Sequence, residues 1–310
     1  VLFDKAIRDI EKTRYEVARL TLNTLINTYD SSEYLAKAKL AIADSWMRQA
    51  GAEGLAQAEA EYKDFQLFYP TMEEAPEAQA RICEIHYKQM EKADRDPNNA
   101  LRAEQECRDL LTKYPNSKFA PQTTQRLREI QEVLAGAEMT AGDFYHHKGA
   151  FSAAANRLNG LVNQYPLFSH ADEALWKEAD SYSRMGARFR QKAGEAYAKI
   201  VRDYPLSEYA DQAKQKLKDM EMTVPEADPA AVARMKFEAA NHVEPGMIHK
   251  ATSFLRHGPE TSDAAKSGTP TMVPPKPEVP ATVPVPAPML PNTQRGWRTG
   301  GTVRRQERRS

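Results

Sequence analysis

The chain has 310 residues, 41% of them hydrophobic and 28% charged, enough to bury a sizeable core. A mean hydropathy of -0.68 and 20 prolines indicate that part of it stays outside any core. Lys plus Arg and Asp plus Glu both number 43, so the bulk positive charge typical of nucleic-acid binders is missing, and no run of 18 apolar residues exists to span a bilayer.

The N-terminus, Val1-Leu2-Phe3-Asp4-Lys5, is neither a signal peptide nor a lipidation site and reads as the inside of a helix, so an upstream segment is expected. Residues 2–12 and 14–28 read as a first hairpin, 33–49 and 53–68 as a second, and 74–93 and 98–113 as a third around the polar turn Asp94-Arg95-Asp96-Pro97. One long helical segment, 117–147, ends at Gly149 and pairs with 151–164; a fifth pair covers 170–185 and 189–203. The polar helix 207–221 follows as a cap.

These hairpins are punctuated by one plan: an apolar helix end, an aromatic stop and a new helix start. Stops stand at Tyr29-Asp30-Ser31-Ser32, Tyr69-Pro70-Thr71, Tyr114-Pro115-Asn116-Ser117, Tyr165-Pro166-Leu167-Phe168-Ser169 and Tyr204-Pro205-Leu206-Ser207. Proline lacks the N–H a helix interior needs and disfavours helical geometry in the preceding residue, so each Tyr-Pro ends a helix, and the Ser or Thr beyond it suits the next N-cap. Seven, four and three residues before the tyrosines stand Leu22, Leu25, Ile26; Tyr62, Phe65, Gln66; Cys107, Leu110, Leu111; Leu158, Leu161, Val162; and Tyr197, Ile200, Val201. That is one buried helix face repeated five times, with Gln66 as its mismatch. The stop tyrosines are 40, 45, 51 and 39 residues apart, room for two helices and a turn. The expected fold is all-α: a tetratricopeptide-like solenoid of five helical hairpins plus a cap helix over residues 1–221, offering a concave surface to partners.

Seven prolines precede residue 225 and thirteen stand from Pro225 onward. Residues 222–258 read as a linker with one isolated amphipathic helix over 229–257 interrupted at Pro245-Gly246, and 259–310 as a disordered Pro-rich tail ending in arginines. Arg304-Arg305 and Arg308-Arg309 suit either anionic lipid or polysaccharide, or plain solvation.

Asp94-Arg95-Asp96-Pro97, Tyr114-Pro115-Asn116-Ser117, Arg126-Leu127, Leu134-Ala135, Glu138, Tyr145, Gly149-Ala150-Phe151, Asn156-Arg157, Gly160 and Tyr165-Pro166 resemble the BamD family, the tetratricopeptide-repeat lipoproteins of the outer-membrane β-barrel assembly machine. The layout is similar over about residues 1–221, and the specific motifs lie between 94 and 166. The resemblance implies a periplasmic scaffold tethered by lipid to the outer membrane. It would bind the periplasmic domains of BamA and other assembly-machine lipoproteins, and receive unfolded outer-membrane proteins through C-terminal aromatic signals. The family's lipidated cysteine has no counterpart near the start of this sequence, which departs from the pattern, as does the Pro-rich tail. A different envelope or cytoplasmic tetratricopeptide adaptor is the alternative.

On that resemblance Phe144, Tyr145, Asn156 and Arg157 become the candidate client-peptide site, although the family residue matching Phe144 is typically tyrosine. An arginine beside aromatics suits a carboxylate terminus and an aromatic side chain; equally, it suits a tie between repeats through helix-end carbonyls. Arg95 and Asp96 are candidate partner contacts, with helix capping by Asp96 as the plainer role. Cys83 and Cys107 are twelve residues either side of Arg95, at one height in an antiparallel hairpin: a disulfide in an oxidising periplasm, or two buried thiols. His146-His147 lack the i, i+4 spacing for metal and read as surface residues. No phosphate-cradling loop, nucleophile elbow or His-Glu-x-x-His motif occurs, so neither an enzyme nor a cofactor is expected.

Overall fold

The computed structural model describes residues 1–29, 31–241 and 258–274, and all regular structure among them is helical. Five antiparallel hairpins succeed one another: α1 (Leu2–Glu11) with α2 (Tyr15–Thr28), α3 (Leu35–Gln49) with α4 (Gly51–Phe68), α5 (Ala75–Lys88) with α6 (Asn98–Lys113), α7 (Ala120–His147) with α8 (Phe151–Gln164), and α9 (Ala171–Arg184) with α10 (Arg190–Asp203). A 3-10 turn at Ala187–Phe189 leads into α10, and α11 (Ala210–Asp219) packs on it as the cap. α12 (Pro229–Asn241) follows.

The connections inside hairpins vary in length, whereas the five between hairpins, from the stop tyrosine to the next helix, are all six residues long. The tyrosines at these stops have φ between −127° and −133° with ψ between 48° and 66°. Tyr29, which precedes Asp30 rather than proline, adopts the same geometry. Each stop repeats one main-chain relay, seen for instance where Tyr114 N–H donates to Leu110, Ser117 N–H to Tyr114 and Ala120 N–H to Ser117. The relay satisfies groups that a helix end would otherwise leave bare. Tyrosine hydroxyls then tie turn to turn: Tyr204 donates to the Pro166 carbonyl at 2.7 Å and Tyr114 to that of Pro70 at 3.4 Å.

The serines play a different part from the expected N-caps. Ser32 and Ser207 accept from the N–H two residues on, and the helix begins three residues after the serine. The first helical residue is a buried alanine in α5, α7, α9 and α11. Similarly, Asp96 accepts from Asn98 N–H at 3.0 Å while Pro97 occupies the cap position of α6.

Most of the stripe is buried: Leu22, Tyr62, Phe65, Cys107, Leu110, Leu158, Leu161, Val162, Tyr197, Ile200 and Val201 are all 3% exposed or less, whereas Ile26 and Leu111, at its edge, are only partly buried. Each such large apolar side chain contributes roughly 1.5–3 kcal/mol. Gln66 turns its mismatch to use by donating to the Ala75 carbonyl across the turn. Cys83 on α5 and Cys107 on α6 are both fully buried, with Cα atoms 5.0 Å apart and sulfurs in bonding contact.

α12 is not isolated. Arg234 donates to the Asp203 carbonyl at 2.8 Å and lies 5.6 Å over the Tyr204 ring, and Met235 packs on the main core. The expected continuation of this helix to 257 and the arginine pairs near the C-terminus lie outside the described residues. Residues 259–274, expected to begin the disordered Pro-rich tail, instead lie against the helices together with residue 258, because side chains of α7 bind their main chain; Ala264 is 2% and Ala265 9% exposed.

Candidate functional site

α7 has 28 residues, roughly 42 Å of helix. Its first half meets α5 and α6, through Glu129 to Tyr87 and Gln131 to Glu104, and its second half meets α8 and α9, through Gly142 to Leu158 and Asp143 to Lys177. At the α7–α8 contact a Cβ on Gly142 would fall 2.6 Å from Leu158 Cδ2, so the glycine lets Leu158 sit directly on the α7 backbone. The return into α8 runs through Gly149 at φ +73°, a conformation that favours glycine. This close approach fixes the height at which Asn156 and Arg157 leave the helix bundle.

Arg157 Nη1 lies 3.1 Å from Glu138 Oε2 of α7, and both side chains are exposed, so the pair contributes at most about 1 kcal/mol. Tyr145, Asn156 and Arg157 line a cavity of about 720 Å³ together with Ala150, Phe151 and Arg184. Phe144 does not share that wall; it is 57% exposed, its ring edge-on to Tyr145 at 5.5 Å. The floor is braced by Asp180, which joins His146 Nε2 at 2.8 Å and Arg184 Nε at 2.7 Å, while Arg184 stands 5.2 Å over the Phe151 ring. His146 is therefore half-buried and paired rather than a free surface residue, and among the described residues no group of His, Cys, Asp or Glu is arranged for a metal. Arg95 and Asp96 stand apart, exposed in the α5–α6 turn, with Arg95 3.9 Å from Glu91.

Arg157 also borders a second cavity of about 660 Å³, whose walls include Leu101, Leu134, Tyr165, Val273 and Pro274. Beside it lies a polar cluster that the helical pattern did not reveal. Glu104 is fully buried, its Oε1 accepting from Gln131 Nε2 at 3.1 Å and its Oε2 3.5 Å from Arg108 Nη2. The available signal was a polar residue on an apolar stripe, three positions before Cys107.

Burial pushes the Glu104 carboxyl above its ordinary pKa, with Arg108 and Gln131 opposing it only in part. The folded chain then holds this proton more tightly than the unfolded one. The contribution is fully present below the unfolded pKa of about 4.3 and is lost as pH rises through the folded value. Glu104→Gln is expected to gain stability relative to the unchanged chain between about pH 4 and pH 7, measured by urea unfolding. A difference that stays constant over that range would refute this.

The arrangement defines a helical repeat scaffold with partner-sized recesses. A family model described as outer membrane lipoprotein matches residues 1–196. The chain belongs to this family, the BamD family. Relatives named outer membrane protein assembly factor BamD include one from Neisseria meningitidis serogroup A, 28% identical over 40% of this chain and 45% of its own. Another, from Rickettsia prowazekii, is 26% identical over 43% of this chain and 53% of its own, and one from Neisseria gonorrhoeae is 32% identical over 27% and 31%. The chain thus spans about half the length of these relatives or less. A solved tetratricopeptide repeat protein from Parabacteroides merdae covers 76% of this chain and 96% of its own at a TM-score of 0.31 and 12% identity, too loose a match to add to the fold. Among the described residues no helix is long and apolar enough to cross a membrane.

Proposed function

We propose that this chain is a non-enzymatic scaffold subunit of the outer-membrane β-barrel assembly machine. It works at the periplasmic face of the outer membrane, binding the periplasmic domains of BamA and the C-terminal signals of unfolded outer-membrane proteins. Family membership and the relatives named as assembly factors support the machine. The observation that carries the client site is Arg157: a half-exposed guanidinium on the rim of an aromatic-lined cavity, paired among the described residues with the exposed carboxylate of Glu138. An incoming peptide carboxylate can replace Glu138 at little cost, gaining a charge-assisted pair, while its aromatic side chain enters beside Tyr145 and Phe151.

The test is capture of the full chain by BamA periplasmic domains from the same source, beside titration with a fluorescent peptide ending in an aromatic residue. Arg157→Glu places a second carboxylate beside Glu138 and should weaken the peptide roughly tenfold to a hundredfold with the helical signal unchanged. Equal peptide affinity in the folded variant would remove Arg157 from the site. Binding to neither BamA nor peptide would leave a general tetratricopeptide adaptor.

A further inference from the structure

Residues 258–274 cross α7 as an irregular segment with a turn at 261–264, and from Ala265 onward most of the hydrogen bonds that hold them to the helices are made by the segment's main chain. Gln125, Arg128 and Gln131, spaced three apart on one face of α7, donate in turn to the carbonyls of Ala265, of Lys266 and Gly268, and of Thr271. Gln131 pairs with Thr271 in both directions, giving 2.7 Å to its carbonyl and accepting its N–H at 3.0 Å, as a neighbouring β-strand would. Beyond it Arg108 and Gln164 both donate to the Val273 carbonyl at 2.9 Å. Arg108 and Gln131 also face Glu104, yet each gives a further donor to the segment's carbonyls, and with the segment in place both are only 5% exposed. Contacts of this kind are indifferent to the side chains of the bound segment.

The bound segment is shaped to the path at one position. Gly268 has φ +82°, and a Cβ there would meet Leu167 Cδ2 at 2.9 Å. Just before it, Glu238 of α12 accepts the N–H groups of Lys266 and Ser267 at 2.9 and 2.7 Å and anchors the segment there. The segment advances along α7 in the same direction as the helix, and Val273 and Pro274 open into the 660 Å³ cavity that Arg157 borders. A second polypeptide laid the same way would bring its C-terminal end to Arg157.

We propose that residues 258–274 are a tethered occupant of a main-chain-reading track across α6, α7 and α8, and that an extended polypeptide from another protein binds there by displacing them. Only the last step, delivery of a C-terminus to Arg157, rests on the function proposed above. The tether taxes every competitor by the fraction of time the track stands open.

Thr271→Pro tests this because one substitution has opposite effects in two places. In the full chain it removes the N–H given to Gln131, loosens the tethered segment and leaves the track intact. A labelled synthetic peptide of residues 258–274 should then bind about tenfold tighter than to the unchanged chain, while the peptide carrying the same substitution should bind about tenfold more weakly to either. Equal affinity of the unchanged peptide for both chains, or no loss from proline in the peptide, overturns the proposal. An aromatic-ended peptide run in parallel should gain with the 258–274 peptide. Should it bind neither chain while the 258–274 peptide behaves as expected, the Arg157 client site falls and the tethered occupant stands.

Discussion

Reduction of the Cys83–Cys107 pair is expected to lower the stability of the array by about 3 kcal/mol. The two residues are 24 apart in sequence and join α5 to α6 across the nine-residue turn that contains Arg95 and Asp96. That turn is the longest connection within any hairpin, so the α5–α6 hairpin gains more than the others from a cross-link that shortens the unfolded chain. Both sulfurs are buried, so the bridge forms or is lost without change at the surface. Thermal unfolding with and without reductant should show a midpoint shift of roughly 6–12 °C. Two free thiols in the denatured, unreduced protein would show that no bridge exists, and the two cysteines would then act as ordinary core residues.

Leu158→Ala is expected to destabilise by about 3 kcal/mol, and Gly142→Ala to restore part of the loss. In the unchanged chain an alanine at 142 meets Leu158 at an impossible distance, so repacking costs offset the roughly 1 kcal/mol that alanine gains over glycine in a helix. With Leu158 shortened the same methyl group enters the vacated space and keeps the helical gain. The two substitutions should therefore couple by about 1 kcal/mol or more, read from urea unfolding of the four combinations. Strict additivity would mean that the α7–α8 contact is not set by this pair. Because Arg157 precedes Leu158 in α8, the same cycle reports how firmly the candidate client site is held.

The helical hairpins were legible because their information is local: the three-four spacing of Leu158, Leu161 and Val162, and the tyrosine that follows, are a pattern within one helix. What the pattern missed are features set by the main chain or by distant partners. Ser117 and Ser207 were expected to cap helices, yet a relay of backbone bonds places the helix starts three residues later, at the buried Ala120 and Ala210. Phe144 matched the candidate site by its place in the motif, but its position on α7 turns it away from the cavity that Tyr145 lines. Residues 258–274 carry few large apolar side chains and make their contacts to residues about 140 positions earlier, through carbonyls that any sequence possesses. Nothing in their composition announces such a contact. Glu104 and Gln131 were the overlooked traces of it, polar side chains placed where the helical pattern called for apolar ones.

The constant six-residue stops have a consequence for how such an array can change over time. One edge of the solenoid behaves as a datum: adding or removing a residue there breaks the tyrosine relay and shifts the next helix out of contact with the last. The opposite edge carries no such constraint, and its connections run from the single residue Ala50 to the nine residues between α5 and α6. New length, and with it new surface, can be acquired on that side alone while the tyrosine side keeps every hairpin in step. The 28-residue α7 is an instance: it extends beyond its neighbours without altering the stops on either side of its hairpin.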